Sequence, residues 1–444
     1  MTSVLVDYPE DNARLLQRLQ RALDVGAVRD VLNREWAWAG NRGLHVAEVR
    51  VHRVFPRGTD RFIVKYHITT HGESGIERMT VFGELVAGSV AELCNTLIAK
   101  LQKSRRKQLE RYDDADALCV LDELEMLLRI PGFDDKLPGL MILHQPKTAR
   151  AILRQFGGRT KHFGKQPRFE ILNHRPGKRC VLLAKAFDDY AAKSIVVRCL
   201  KQDRDRHRIN AEQIEQLRML GFGDTASDGI FIPKTLGYSD ELASVAIEYV
   251  AGSILGEGSP MDSWHQAQVS GLALAKLHAT PLSIASRYGP EHELSMLDNW
   301  VSLIVLINPD LGAELHAALQ RIVKQMAALP AFAPRLLHRD YYYKQLLHDG
   351  EHTYMIDFDT LCIGDPAIDI ANYLAHEELA ALTGSSCAVI EDEFLLVYSR
   401  RLQLPQRTSL AVWKNAALLR LACLYACRTG WEHVPCGLLK KIRV

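Results

Sequence analysis

Leu336-Leu337-His338-Arg339-Asp340-Tyr341-Tyr342-Tyr343-Lys344-Gln345-Leu346-Leu347 begins a run that continues as Tyr354-Met355-Ile356-Asp357-Phe358-Asp359 and closes as Gly364-Asp365-Pro366-Ala367-Ile368-Asp369. An apolar strand runs into His-x-Asp, a short loop returns to a second apolar strand, and a third ends in Asp-Phe-Asp. Two carboxylates then stand at neighbouring strand ends, where a hairpin can aim both into one cleft. Phosphoryl transfer needs that arrangement: one carboxylate beside the attacking hydroxyl, and an acidic ligand on the Mg²⁺ that bridges the nucleotide phosphates. Loop-capping aspartates are the alternative reading of these acids, but they do not require three submotifs in this order. His338 is read as a brace that hydrogen-bonds backbone to hold the loop. Asp365 reads as an N-cap followed by Pro366, and Asp369, in the first turn of that helix, as a brace for the loop.

Upstream, Phe169 to Leu172, Cys180 to Phe187 and Ser194 to Leu200 read as strands, followed by a helix near Asn210 to Leu220 and strands at Phe231 to Tyr238 and Leu242 to Val250. Five short strands around one helix make an α+β layer. From Asp262 onward the pattern is helical, with apolar residues at helical spacing over Trp264 to His278, Gly312 to Leu329, Glu391 to Leu402 and Leu410 to Ala426.

Together these segments resemble the aminoglycoside phosphotransferase and choline kinase superfamily, relatives of the protein kinases, over about residues 165 to 430. The resemblance implies a two-lobed protein-kinase-like fold, with a five-stranded antiparallel N-lobe at 165–252 and a mainly helical C-lobe at 253–444. It implies ATP and Mg²⁺ as cofactors and a small-molecule hydroxyl as acceptor, aminoglycoside-, choline- or sugar-like. Asp340 would orient the acceptor hydroxyl or take its proton, and Asp357 would bind Mg²⁺ with Asp359 as second ligand. The family's metal-binding Asn, five residues after the catalytic Asp, is Gln345 here; the extra methylene moves its oxygen by about 1.5 Å. The turn His174-Arg175-Pro176-Gly177-Lys178-Arg179 lies where the family covers the phosphates, Gly177 permitting close approach and Lys178 or Arg179 adding charge. Arg198 takes the place of the phosphate-binding lysine, with Lys201 as alternative and Glu212 or Glu215 as its partner. Tyr249 and Val250 match the hinge whose backbone holds adenine. Leu272 to His278 matches a family helix ending and is read as packing. Tyr341, Tyr342 and Tyr343 could wall an acceptor. Because Gln345 and Arg198 depart from the family pattern, a catalytically impaired nucleotide-binding module is the rival to an active kinase.

The remaining length precedes this unit, since 444 residues exceed the roughly 250 to 300 that one core supports. Residues 1–160 read as an N-terminal α+β domain: a helix from Glu10 to Leu23, three strands at Val46 to Phe55, Arg61 to Ile68 and Arg78 to Val86, and a helix from about Val90. His52-Arg53-Val54-Phe55-Pro56-Arg57-Gly58 with Arg61-Phe62-Ile63-Val64 can be laid over Asn173-His174-Arg175-Pro176-Gly177 with Arg179-Cys180-Val181-Leu182, so this domain could be a degenerate copy of the N-lobe. Glu84 then falls where Arg198 stands in the second copy.

Composition narrows the function classes. Hydrophobic residues are 47% and charged residues 24%, an ordinary globular balance. The net charge of +2 gives no bulk attraction to nucleic acid or membrane. The basic run Lys100, Lys103, Arg105, Arg106, Lys107 and Arg111 has almost no aromatic residues beside it to stack bases, so no nucleic-acid partner is expected. No apolar run reaches the roughly 18 residues that cross a bilayer, and Asp7, Glu10 and Asp11 break the N-terminal pattern of a signal peptide, so a cytoplasmic protein is expected. Nine cysteines without Cys-x-x-Cys read as reduced thiols, and Cys423 and Cys427, four apart, as core residues rather than metal ligands.

Overall fold

The computed structural model describes residues 10–58, 60–73, 75–105, 118–131, 134–143, 146–156, 163, 169–186, 193–201, 205–256, 261–384 and 391–442. Arg106, Lys107 and Arg111 of the basic run lie outside the described residues.

Helices α1 (Glu10–Leu23), α2 (Val25–Glu35) and the single turn α3 (Ala37–Gly40) lead into β1 (His45–Pro56), β2 (Arg61–Gly72) and β3 (Gly75–Val86). Helix α4 (Val90–Arg105) follows, then β4 (Leu118–Leu121) and β5 (Met126–Arg129). These five strands form one antiparallel sheet in the order β1-β2-β3-β5-β4. The last two strands were not foreseen, because runs of four residues are too short to show a period. Alternation along β2 sends Phe62, Val64, Tyr66 and Ile68 into the core under α1 and α2, and leaves Arg61, Ile63, Lys65 and His67 on the other face.

Helices α5 (Pro138–Leu143) and α6 (Pro146–Gln155) come next, then β6 (Phe169–Arg175), β7 (Arg179–Ala184), β8 (Ile195–Leu200), α7 (Arg206–Leu217), the short β9 (Ile230–Phe231), β10 (Thr235–Ser239) and β11 (Ser244–Glu248). The second sheet has the order β10-β11-β8-β7-β6. Leu137 and Leu140 with Ile152, Leu153 and Phe156 cover one face of it. Residues 137–156, read from the sequence as the end of the N-terminal domain, thus pack on the N-lobe sheet, because their apolar residues complete its core.

The two sheets share one topology. Each runs first, second, third, fifth, fourth strand in space, with a helix between its third and fourth strands. Arg61 pairs with Val86 and Ile63 with Glu84 in the first; Arg179 pairs with Leu200 and Val181 with Arg198 in the second. Register therefore makes Arg61 the counterpart of Arg179, and Glu84 that of Arg198.

Past residues 249–252, β12 (Ser253–Ile254), α8 (Ser263–Ala279), α9 (Pro290–Ile307), α10 (Gly312–Ala327), β13 (Arg335–Leu337), β14 (Leu346–His348), β15 (Thr353–Met355), β16 (Cys362–Gly364), α11 (Ala367–Leu382), α12 (Glu391–Ser399), α13 (Arg407–Tyr425) and α14 (His433–Leu439) build a mainly helical lobe. Gly252 is required where the hinge crosses β14, since a Cβ there would lie 2.6 Å from the His348 carbonyl. The first sheet rests on this lobe: Val51 donates to Thr429 Oγ1 at 3.1 Å, Thr429 N donates back to Val51 O at 3.2 Å, and Trp300, Leu303 and Ile307 join the core under β1. Cys423 and Cys427 are free thiols in core contacts, and burial pushes both up to about 12. Among the described residues no helix is long and apolar enough to cross a membrane.

In the first sheet Glu84 is fully buried and makes ion pairs with Arg61 and, at 2.6 Å, with Arg129, without hydrogen-bond alignment. Removing one member of a buried pair strands its partners' charge. Glu84→Gln is therefore expected to cost about 3–5 kcal/mol in urea unfolding. A loss below about 1 kcal/mol, the level of an exposed pair, would show that the pair is solvated.

Candidate active site

Alternation in the second sheet sends Cys180, Leu182, Ala184, Ile195, Val197 and Cys199 into the core below α5 and α6, and Arg179 and Arg198 to the opposite face, toward the helical lobe. There they meet the two acids of the Asp-Phe-Asp turn. Arg179 donates to Asp357 through Nη1 at 2.5 Å and Nη2 at 2.7 Å, and also to Asp359. Arg198 donates to Asp359 and reaches Asp357 Oδ1 at 3.4 Å. Burial would raise both carboxyls; Arg179 and Arg198 more than offset it and hold Asp357 and Asp359 below the usual carboxylate range. Both acids are ionised at neutral pH, and the four groups sum to zero charge.

The acids are aimed by backbone that few residues adopt. Asp357 has φ +66° and Arg339, beside Asp340, φ +68°, both in the left-handed region that side chains disfavour. Asp369, at the start of α11, holds the second strained residue: its two oxygens accept from the N–H groups of His338 and Arg339, each at 2.7 Å. His278, at the end of α8, sits 3.1 Å from Asp369 and 2.8 Å from the Tyr398 hydroxyl. His338 Nε2 lies 2.8 Å from the Ile356 carbonyl, tying the His-x-Asp turn to the residue before Asp357. The expected bracing roles of His338 and Asp369 agree with these bonds. Asp365 caps α11 through Ala367 N at 2.9 Å and accepts from Trp413 Nε1 at 3.1 Å. His278 had been read as packing, and its bond to Asp369, 91 residues away, had no sequence signal.

Asp340 has no hydrogen-bond partner among the described residues. Burial, and after it the charge of Asp357, pushes its carboxyl up. An unpartnered, more basic carboxylate below the surface is suited to receive a proton.

Other expected residues fall as follows. Gly177 takes φ +65° in the β6–β7 turn, but its N–H donates to Asp134 at 2.5 Å, so that donor is already engaged. Arg57 also holds this turn through the Pro176 carbonyl. Tyr249 N donates to Ser194 O at 3.3 Å, while Val250 is buried at the start of the crossing. Gln345 is buried, and its backbone carbonyl accepts from Ile356 N at 2.9 Å, which sets the residue beside the Asp-Phe-Asp turn. The partner expected for Arg198 on α7 is corrected: Glu212 is exposed and Glu215 accepts from Thr235 N at 2.8 Å, whereas Asn210 Oδ1 lies 3.4 Å from Arg198. Lys201 is exposed. The tyrosine wall is also corrected. Tyr341 and Tyr343 belong to the core, and only Tyr342 is left toward the cleft, stacked on His376 at 3.9 Å.

Whether the acids could hold a metal follows from the same contacts. Among the described residues no three His, Cys, Asp or Glu side chains converge on a point. The two ionised carboxylates are nevertheless hard oxygen donors, and two guanidinium charges already sit against them, equal to the charge of one divalent cation. The pair fits such an ion once the arginines leave.

Residues 199–411 match the model described as the phosphotransferase enzyme family. Asp340, Gln345, Asp357, Asp359, Tyr249 and Val250 lie inside that span; Gly177, Arg179 and Arg198 precede it. No curated protein matches the chain. Among solved structures the chain is similar to a choline/ethanolamine kinase family protein from Mesorhizobium loti, at 17% identity over 67% of this chain and 92% of that one, TM-score 0.45. It is also similar to choline kinase from Cryptosporidium parvum, at 13% identity, 67% and 94% coverage and TM-score 0.45. An aminoglycoside phosphotransferase from Streptomyces rimosus aligns at 18% identity, 62% and 97% coverage and TM-score 0.41.

The arginine cluster predicts an acid-sensitive stability. Carboxyls whose folded pKa is depressed stabilise the fold above their unfolded value of about 3.9 and lose that contribution as pH falls through the folded value. Wild type should therefore lose stability steeply below about pH 4. Arg179→Met, measured by urea unfolding at stepped pH, should be less stable at pH 7 and fall less steeply through that window. Equal slopes would contradict the assignment.

Proposed function

We propose, on the match of residues 199–411 to the phosphotransferase enzyme family, that this chain moves the γ-phosphoryl group of ATP to a hydroxyl of a small molecule. The observation that carries this reading is the convergence of Asp340, left without a hydrogen-bond partner, with the ionised Asp357 and Asp359 at the mouth of the second sheet.

Asp340 receives the proton of the acceptor hydroxyl as its oxygen bonds to the γ-phosphorus and the bond from that phosphorus to the bridging oxygen breaks, leaving ADP. Asp357 and Asp359, with the amide oxygen of Gln345, would hold Mg²⁺, which when bound would offset the charge of the nucleotide phosphates. Arg179 and Arg198 pass from the carboxylates to the phosphate oxygens, for which a guanidinium fork is well shaped. Binding is thus an exchange of ion pairs within one cleft, with little uncompensated charge at any stage. The peptide of Val250 and the carbonyl of Tyr249 face adenine, and Asp369 keeps Asp340 in place through the backbone of its two predecessors.

A second reading is favoured by the same cluster. If the arginines do not release the acids, the domain binds nucleotide without transfer. Asp340→Asn is expected to keep Mg·ATP affinity within about threefold while transfer falls by about 10²–10⁴, the share of a general base. Asp357→Ala should abolish metal-dependent nucleotide binding in titration calorimetry. Wild-type protein that binds Mg·ATP but transfers phosphate to no hydroxyl and not to water would select the second reading, and unchanged binding in Asp357→Ala would exclude both.

A further inference from the structure

The outer face of the first sheet carries cations that the reading above leaves without work. A bulge at His52 turns Arg53 onto that face, and register places Arg53 directly opposite Lys65. Like charges facing each other across two strands repel. His52 and His67 stack beside them at 4.4 Å. Arg428 comes from the segment after α13, its guanidinium 3.9 Å above the Tyr425 ring, and Arg175 from the end of β6. Among the described residues none of Arg53, Lys65, Arg175 and Arg428 has a carboxylate within ion-pair distance, and Nε of Arg53 and of Arg428 are buried donors with no acceptor. Such donors are costly unless something accepts from them.

The groups that surround this cluster are few. Arg175 and Arg428 lie near Arg53 as repulsive neighbours and Asp340 as the nearby carboxylate, so the cluster borders the transfer carboxylate. Burial and then Lys65, Arg428, His67 and Arg53 push His52 down to about 3, and burial with Arg420, Lys344 and Arg428 does the same to His376. Neither imidazole therefore adds charge at neutral pH. Arg420 is paired with Glu293 at 3.2 Å.

We infer that the acceptor is an oxyanion-bearing alcohol, a small hydroxylated molecule with a phosphate or carboxylate group that docks between Arg53, Lys65, Arg175 and Arg428 while its hydroxyl meets Asp340. The inference rests on the phosphotransferase reading of the cleft and changes the substrate class expected from the sequence. A quaternary ammonium or a polyamine sugar would enter against four like charges. The nucleotide phosphates are a poorer occupant, because Arg179 and Arg198 stand at the metal acids while Arg53, Lys65 and Arg428 come from the first sheet and the far end of α13.

The test uses the full chain saturated with Mg²⁺ and β,γ-imido ATP, so that the nucleotide phosphate positions are filled. Inorganic phosphate, glycerol 3-phosphate, glycerate, glycerol and choline are titrated by calorimetry and thermal shift. The anionic probes are expected to bind at least tenfold more tightly than glycerol or choline, with affinity falling as salt rises. Comparing phosphate-bearing probes with glycerate separates the two oxyanions. The double variant Arg53→Gln/Lys65→Gln should lose tenfold or more of that affinity and keep nucleotide affinity within twofold. Its melting temperature without ligand should not fall, because the substitution removes repulsion; Arg428→Gln, on the other lobe, should repeat the loss independently. Choline binding more tightly than the anions, variants that bind the anions unchanged, or variants that lose nucleotide instead would each overturn the inference. Failure of wild type to bind the nucleotide would sink the phosphotransferase reading alone, since the same probes can then be titrated into nucleotide-free protein.

Discussion

The ion cluster of Arg179, Arg198, Asp357 and Asp359 joins two halves of the molecule that have little else in common at the cleft. Two arginines sit on the polar face of a sheet, two aspartates on a turn of the helical lobe, about 160 to 180 residues later in the chain. Neither pair could be buried alone, since an unpaired charge in a cleft this enclosed would shift its pKa or stay in water. Each lobe therefore needs the other to cover its polar face. Asn210 reinforces this: it lies 3.4 Å from Arg198 on one side and donates to the Phe358 carbonyl at 3.4 Å on the other, so α7 is tied to strand and turn together. A glutamate there would add a negative charge to a cluster already neutral, which gives a physical reason for a neutral amide at this site.

The first sheet met the same problem and solved it internally. Its arginine at the counterpart of Arg179 is Arg61, and its residue at the counterpart of Arg198 is the acid Glu84, so Arg61 finds its counter-charge within the sheet. No aspartates from another lobe are needed. The first sheet therefore lies against the second without facing a cleft of its own. Phe82 packs edge-on to His174 at 5.0 Å, Arg57 holds the Pro176 carbonyl, and Asp134 accepts from Gly177 and sits 3.1 Å from His174. The β6–β7 turn is thus clamped from the N-terminal side instead of hanging free over the cleft.

Much of this was legible along the chain, and the reason lies in which interactions are local. His338, Asp340, Asp357, Asp359, Asp365 and Asp369 fall within 32 residues of one another, between strands whose apolar runs are short but well punctuated, so motif and order could be read together. The α+β layer and the helical half followed from periodicity. The duplication was visible only as two similar hairpins; shared strand order and matching register carry it further, and both depend on pairings between distant residues. Contacts with no local signature escaped: His278 on Asp369, Asn210 in place of Glu212 or Glu215, and the burial of Tyr341 and Tyr343. Three consecutive tyrosines do not reveal which of them faces the core in a loop with neither helical nor strand period.

The charge on the two faces of the cleft shows what the first sheet contributes beside the second. Around Asp357 and Asp359 two guanidiniums balance two carboxylates, so the protein is locally neutral. Around Asp340 it is positive, and the excess comes largely from β1 and β2. The helical lobe brings Arg428 and the paired Arg420; the first sheet adds Arg53 and Lys65. Its register and its bulge at His52 set where those cations stand, while its hydrogen bonds to Thr429 fix that sheet to the lobe that carries Asp340. The fold of the first sheet and the charge beside Asp340 are therefore one constraint, since the register that buries one face of that sheet also sets Arg53 and Lys65 on the other.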